Sequence, residues 1–247
     1  MHDELIDEMS SVEGNSWWHE GRRKIVCHMI KNLLINKKDP KILDVGCGSG
    51  GTSIYFREFG TVIGTDFSIS ALRFAYQKGL QNVFRSTLSD LPLQNEIFDT
   101  ITALDVIEHI QNDSNVLLKL KSLLKPDGFI VITVPAFQFL WSGHDIALSH
   151  FRRYNISTLS KTLNKSGFKI TRISYFFAFI FPLFVIYRIL TKFKTSKKDP
   201  KTTNIIFPEI INNLFKKIML LENILLKRIN FPFGISIICI AKRVDTS

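Results

Sequence analysis

Apolar positions along the chain follow two rhythms. Short stretches centred on apolar residues at 42–45, 61–66, 82–86, 98–104 and 129–134 read as the strands of a sheet. Between them apolar residues recur at helical spacing. Ile25, Val26, Met29, Ile30, Leu33 and Leu34 mark a helix from Trp17 to about Asn36. Further helices are expected over 68–78, with Ser68 as its N-cap, over 113–124 and over 155–166. Strand and helix alternate, which predicts an α/β fold with a mainly parallel sheet. Two last strands, 168–174 and 235–243, stand apart, separated by a 60-residue insertion at 175–234.

That insertion has its own pattern. Residues 175–190 are intensely apolar, but the run is broken by Pro182, carries Arg188 and falls short of the roughly 20 residues a membrane span needs. A basic stretch follows (Lys192, Lys194, Lys197, Lys198, Lys201). An amphipathic helix is then expected over 208–229, with Ile210, Ile211, Leu214, Ile218, Leu221 and Leu225 on one side and lysines on the other. Together these predict an interfacial membrane element through 175–230, or a lid over a lipid-like substrate. A helical subdomain or dimer interface is the competing reading.

The chemistry begins at Lys41–Gly50, KILDVGCGSG. Three glycines (Gly46, Gly48, Gly50) between a strand and a helix let the backbone turn and let a ligand approach the helix's free N–H groups. Alone this is a weak signal, shared with dinucleotide-binding loops. Asp66, about 20 residues on at a strand end, is placed to accept hydrogen bonds from ribose hydroxyls. With Asp44, Asp66 and the later LDVIEHI, the chain resembles the class I S-adenosylmethionine (SAM)-dependent methyltransferases over residues 42–174 and the last strand.

The resemblance implies a Rossmann-like seven-stranded α/β sheet of order 3-2-1-4-5-7-6, last strand antiparallel, with the helical insertion between strands 6 and 7. It implies SAM as cofactor, held by Asp44, Gly46, Cys47, Gly48, Gly50, Asp66, Phe67 and Asp105. Adenine would be met near Thr87 and Leu88. Thr87 departs from the acidic residue common there, and Asp90 is a second candidate. It also implies a division into an N-terminal cap region (1–40), a SAM-binding domain (41–174 with 235–247) and the insertion.

Two further clusters carry candidate chemistry. Asp105, Glu108 and His109 follow the fourth strand, where such a sheet binds ligands. They brace a helical turn, or supply a general base or metal ligands, and no metal is assigned. After the fifth strand, WSGHD and HFRRY place Trp141, His144, Asp145, His150, Arg152, Arg153 and Tyr154 within fourteen residues. A His144–Asp145 pair would serve as an oriented base, with His150 and His109 as further catalytic candidates. Arg152 and Arg153 could grip phosphate or carboxylate. Trp141 and Tyr154, and Trp18 at the cavity mouth, are expected at the substrate.

Composition narrows the picture. A chain of 247 residues suits one large domain. Three scattered cysteines without a C-x-x-C indicate a reduced, intracellular protein without a zinc knuckle. The polar, acidic N-terminus shows no secretory signal, and residues 1–16 are expected to be mobile. Residues 165–247 hold 15 Lys and Arg against 4 Asp and Glu, whereas residues 1–164 hold 17 against 18. The basic character belongs to the last third, which suits an anionic membrane or RNA.

No N-P-P-Y-type loop follows the fourth strand, and no cysteine stands where a cytosine C5 nucleophile would, so DNA is not expected as substrate. The preferred reading is O-methylation of a small-molecule, glycan or lipid-linked acceptor by a cytoplasmic enzyme at the inner face of a membrane, with oligomeric state open. An RNA methyltransferase and a non-catalytic SAM-binding regulator are the alternatives.

Overall fold

The computed structural model describes residues 16–192 and 207–245. Residues 1–15 and the lysines at 194–201 fall outside the described residues. The sheet has seven strands: β1 (Lys41–Val45), β2 (Thr61–Asp66), β3 (Val83–Arg85), β4 (Phe98–Leu104), β5 (Leu124–Pro135), β6 (Phe168–Phe176) and β7 (Ser236–Arg243). Their order is β3-β2-β1-β4-β5-β7-β6, as expected, and only β7 runs antiparallel to its neighbours.

Val45 lies opposite both Thr65 and Ala103, so β1, β2 and β4 end level with one another. Strand order reverses between β1 and β4. Connections there leave to opposite sides, which opens a crevice at the C-terminal ends. Every residue of β4 is buried.

Helices cover both faces: α1 (Trp17–Leu34), α2 (Ser53–Phe56), α3 (Ile69–Gln77), α4 (Asp113–Leu123), α5 (Gly143–Ala147), α6 (Ile156–Lys165), α7 (Phe181–Lys192) and α8 (Glu209–Leu226). Ser68 caps α3 as expected, its Oγ accepting from the Ala71 amide at 3.3 Å. β5 begins earlier than its apolar run suggests, because Lys125–Gly128 bulges out of a strand that already pairs at Leu124.

The apolar run at 175–190 is not one helix. Tyr175 and Phe176 finish β6 opposite Ile237 and Ser236. The helix starts only at Phe181, with Pro182 in its first turn, where a missing N–H costs nothing. α8 packs on α1, and its inward face includes two polar residues beside Met219 and Leu226. Glu222 and Asn223 are buried while Leu214, Leu221 and Ile224 are exposed.

Candidate active site

The strand ends around the crevice frame one cavity of about 1040 Å³, completed by α1, α7 and the segments after β4 and β5. One half is built from backbone. The amides of Gly46 and Cys47 both donate to Thr65 O, at 2.8 and 3.0 Å, pinning the turn to β2. At Gly46 (φ 66°) a Cβ would come within 2.6 Å of Val106. At Gly48 (φ 53°) it would meet nothing within 4 Å, so this glycine leaves open space on the cavity wall. Asp66 closes the turn, one oxygen accepting from Gly48 N at 3.0 Å and the other from Ser68 N at 2.9 Å. Phe67, Thr87 and Leu88 line the same half, whereas Asp90 does not.

Two expected cofactor residues lie behind this wall rather than on it. Asp44 is buried and accepts from the hydroxyls of Ser53 and Thr102. Burial pushes its carboxyl up to about 6 against the pull of those bonds. Gly50 packs on Ala75, 3.0 Å from where its Cβ would stand. Neither lines the cavity. Both hold the turn in place.

The other half is built from side chains. Asp105 (φ 58°) accepts from Thr133 Oγ1 at 3.1 Å and pairs with Arg22 of α1. Glu108 and His109 stand on a single 3-10 turn, Ile107–His109. Glu108 is fully buried, and among the described residues its carboxylate oxygens have no partner beyond its own backbone. Burial, then the Asp105 charge, raises it well above the usual carboxylate range. His109 meets His150 edge to face, ring centres 4.6 Å apart. Burial and then His150 lower its imidazole to about 4.

The expected His144–Asp145 pair is replaced by another. On a helix, adjacent residues point about 100° apart, so Asp145 turns away from its neighbour. One of its oxygens caps α5 through the Ser142 amide at 2.9 Å. The other oxygen receives His150 Nδ1 at 3.0 Å and Arg153 Nε at 2.7 Å. Burial opposes ionisation, but His150 and Arg153 together hold Asp145 well below the usual carboxylate range. His144 lines the cavity separately, its imidazole lowered to about 4 by burial and by Arg188.

Other expected substrate residues are also committed elsewhere. Arg153 is buried against Asp145 and the Ala136 carbonyl. Arg152 and Tyr154 both reach Asp113, at 2.9 and 2.8 Å, and tie the loop to the start of α4. Arg152, Tyr154 and Trp141 do not line the cavity. Trp18 does, stacked on Phe177 at 4.0 Å, with Trp17 beside it. Trp17 and Trp18 meet edge to face at 5.6 Å, both against Phe177, and Trp17 also meets Phe215.

Sequence reasoning missed Arg22 and Arg188 as cavity residues. Their signal was a cation on an otherwise apolar helix face. Glu108, His109 and His150 bring one ligand atom each within 4.8 Å of the others, a donor set that could hold a divalent ion. The metal grouping read from spacing, with Asp105 as first ligand, is not the one formed, since Asp105 faces Arg22.

Comparison with known proteins decides the family. Residues 17–173 match the model described as Methyltransferase domain, Methyltransf_23. The chain belongs to this family. A ubiquinone biosynthesis O-methyltransferase of Haemophilus ducreyi is 29% identical over 154 residues, covering 54% of the chain and 65% of that relative, so the match spans just under two thirds of its length. Phosphoethanolamine N-methyltransferase 1 of Zea mays is 35% identical over 129 residues, 49% of the chain and 26% of that protein. In fold the chain is similar to Haemonchus contortus phosphoethanolamine N-methyltransferase 2 in complex with SAM. There the TM-score is 0.63 and identity 18%, over 99% of this chain and 58% of that one. A SAM-dependent methyltransferase from Archaeoglobus fulgidus gives a TM-score of 0.57 at 22% identity, over 90% and 94% of the two chains.

The family's SAM fits what the cavity offers. The open wall at Gly48 admits a ligand against backbone, and Asp66 keeps unused lone pairs beside it. The chain carries the family's methyltransferase domain over residues 17–173.

Proposed function

We propose that this methyltransferase alkylates a hydroxyl oxygen on a small, glycan or lipid-linked acceptor, with His150 as general base. The Asp145–His150 dyad carries the reading. Asp145 is held ionised and accepts only, so the His150 nitrogen facing it, Nδ1, carries a proton. Nε2 is then the ring's remaining acceptor, and His150 belongs to the cavity lining. Bound SAM supplies an electrophilic methyl on a positive sulfur, and the single proton left to manage is the acceptor's own. His109 and His144, both lowered to about 4, stay neutral at physiological pH and offer hydrogen bonds without adding charge. Asp66, Gly48 and the Gly46–Cys47 turn would hold SAM.

The relatives' names support a small acceptor, one an O-methyltransferase and one an N-methyltransferase. Oxygen is favoured here because a hydroxyl needs the base that the dyad provides. A merely SAM-binding regulator has no use for it. His150→Gln is expected to lower turnover on a hydroxyl acceptor about 100- to 10 000-fold, with SAM affinity unchanged by calorimetry. Full turnover would remove the dyad from the chemistry.

One observation favours a second route to the same product. The unpartnered Glu108 carboxylate beside His109 and His150 suits a divalent ion that would activate the hydroxyl as a Lewis acid. Turnover that EDTA abolishes and Mg²⁺ restores would select this route. Indifference to EDTA selects the dyad.

A further inference from the structure

α8 is folded inside out. Its inward face presents Glu222 and Asn223 as well as Met219 and Leu226, and the polar pair is put to structural use. Glu222 accepts from the Phe179 amide at 3.0 Å, and Asn223 Nδ2 donates to the Gly21 carbonyl of α1 at 3.1 Å. Ile210, Leu214, Leu221, Ile224 and Leu225 recur three and four residues apart and form a stripe on the opposite, exposed face. Leu214 and Leu221 are each 54% exposed.

α7 repeats the arrangement beside the cavity. Phe184, Tyr187 and Arg188 turn to the cavity wall, while Ile186, Ile189 and Leu190 turn outward at more than half exposure. Water is a poor medium for two such faces flanking one opening. Among the described residues no helix is long and apolar enough to cross a membrane, so the apolar medium would be met side-on.

From this we infer that the outer faces of α7 and α8 seat the protein on an anionic lipid bilayer, with the cavity mouth turned to the membrane so that an amphiphilic acceptor enters without crossing water. Charge favours a bilayer over a second copy of the chain. Lys217 lies exposed within the α8 stripe and Lys227 and Arg228 follow directly on the helix end, in the part of the sequence that holds 15 Lys and Arg against 4 Asp and Glu. Two such faces pressed together would bring like charges into contact, whereas phosphate headgroups complement them. The cavity is continuous with this surface. Leu183 and Phe184 of α7 and Phe215 of α8 belong to its wall, as do Trp17 and Trp18. Arg188, stacked over Phe184 at 4.8 Å, gives an anionic headgroup a cation within that wall. The acceptor's entry rests on the methyl-transfer reading above. The bilayer contact does not, and it is tested by measurements that need no turnover.

The test uses the full chain and vesicles of phosphatidylcholine alone or with about a third phosphatidylglycerol. Co-sedimentation with the anionic vesicles is expected, stronger at low salt and persisting in part at high salt. Ile186→Glu and Leu214→Glu, both at exposed positions, are each expected to reduce the partition coefficient at least tenfold. SAM affinity measured by calorimetry should stay at the wild-type value, showing that fold and cofactor site are intact. Brominated lipid should quench tryptophan fluorescence in Trp141→Phe, where only the two mouth tryptophans report. Failure to sediment with either vesicle, or equal binding by the glutamate variants, overturns the inference. So does a dimer in light scattering that those variants dissociate. Binding without quenching overturns the orientation of the mouth.

Discussion

The two halves of the cavity are built on different principles. On the cofactor side the wall is backbone: three amides, one open glycine and a single carboxylate, Asp66, that gathers the turn. On the acceptor side the wall is a chain of side chains. It runs from Arg22 and Asp105 through Glu108, His109 and His150 to Asp145 and Arg153. A backbone wall depends on where the chain can turn. A side-chain wall depends on every buried charge keeping its partner.

The sharpest way to break the acceptor half is therefore to neutralise its hub. Asp145→Asn leaves the buried Arg153 guanidinium without a counter-charge and deprives the His150 ring of the acceptor that sets its tautomer. A loss of about 3–5 kcal/mol in stability is expected from the unpaired buried charge, read in urea melts. SAM affinity of the folded fraction should hold, because none of the cofactor contacts passes through Asp145. A variant as stable as wild type would mean that the Ala136 carbonyl and neighbouring water satisfy Arg153 unaided.

Asp66→Ala makes the opposite cut. It removes the acceptor for both Gly48 N and Ser68 N and the carboxylate expected at the ribose. SAM affinity should fall about 100-fold, near 3 kcal/mol, by calorimetry. Stability should change less than in Asp145→Asn, since the half-exposed turn can turn to water. Unchanged affinity would remove the ribose assignment and shift cofactor binding onto the glycine turn alone.

The same contrast explains what the sequence could reveal. The sheet was legible because its central strands are mainly apolar, and the glycine turn because three closely spaced glycines take positive φ without strain. The start of α3 was legible from Ser68 for a similarly local reason. The acceptor half was legible as a list of residues but not as a network. Asp145 reaches His150 and Arg153 across a loop that returns on itself, and no spacing rule foretells that return. Arg152 and Tyr154 looked like substrate residues because nothing local shows Asp113 waiting 39 and 41 residues upstream. For α8, periodicity located an apolar stripe. It could not tell which side α1 would cover, because that side pairs Met219 with the buried Asn223, whose amide donates to the Gly21 carbonyl of α1.

The smallest expected effect sharpens the comparison most, because it asks whether the backbone-built half also hides a charge. Asp44 lies under the glycine turn with its carboxyl raised to about 6 from an ordinary 3.8. Burial is the cause, only partly offset by the Ser53 and Thr102 hydroxyls. A raised carboxyl binds its proton more tightly in the folded state than in the unfolded chain. Its contribution to stability is therefore full below about pH 4 and declines as pH rises to about 6, at no more than about 1.4 kcal/mol per pH unit. Asp44→Asn has no such proton to lose. The stability of the variant relative to wild type should climb across that window and be level on either side of it. A difference that stays flat from pH 4 to pH 7 would mean that the hydroxyls hold Asp44 ionised as firmly as water does. The cofactor half would then carry no buried proton, and the ionisable chemistry of the cavity would lie wholly on the acceptor side.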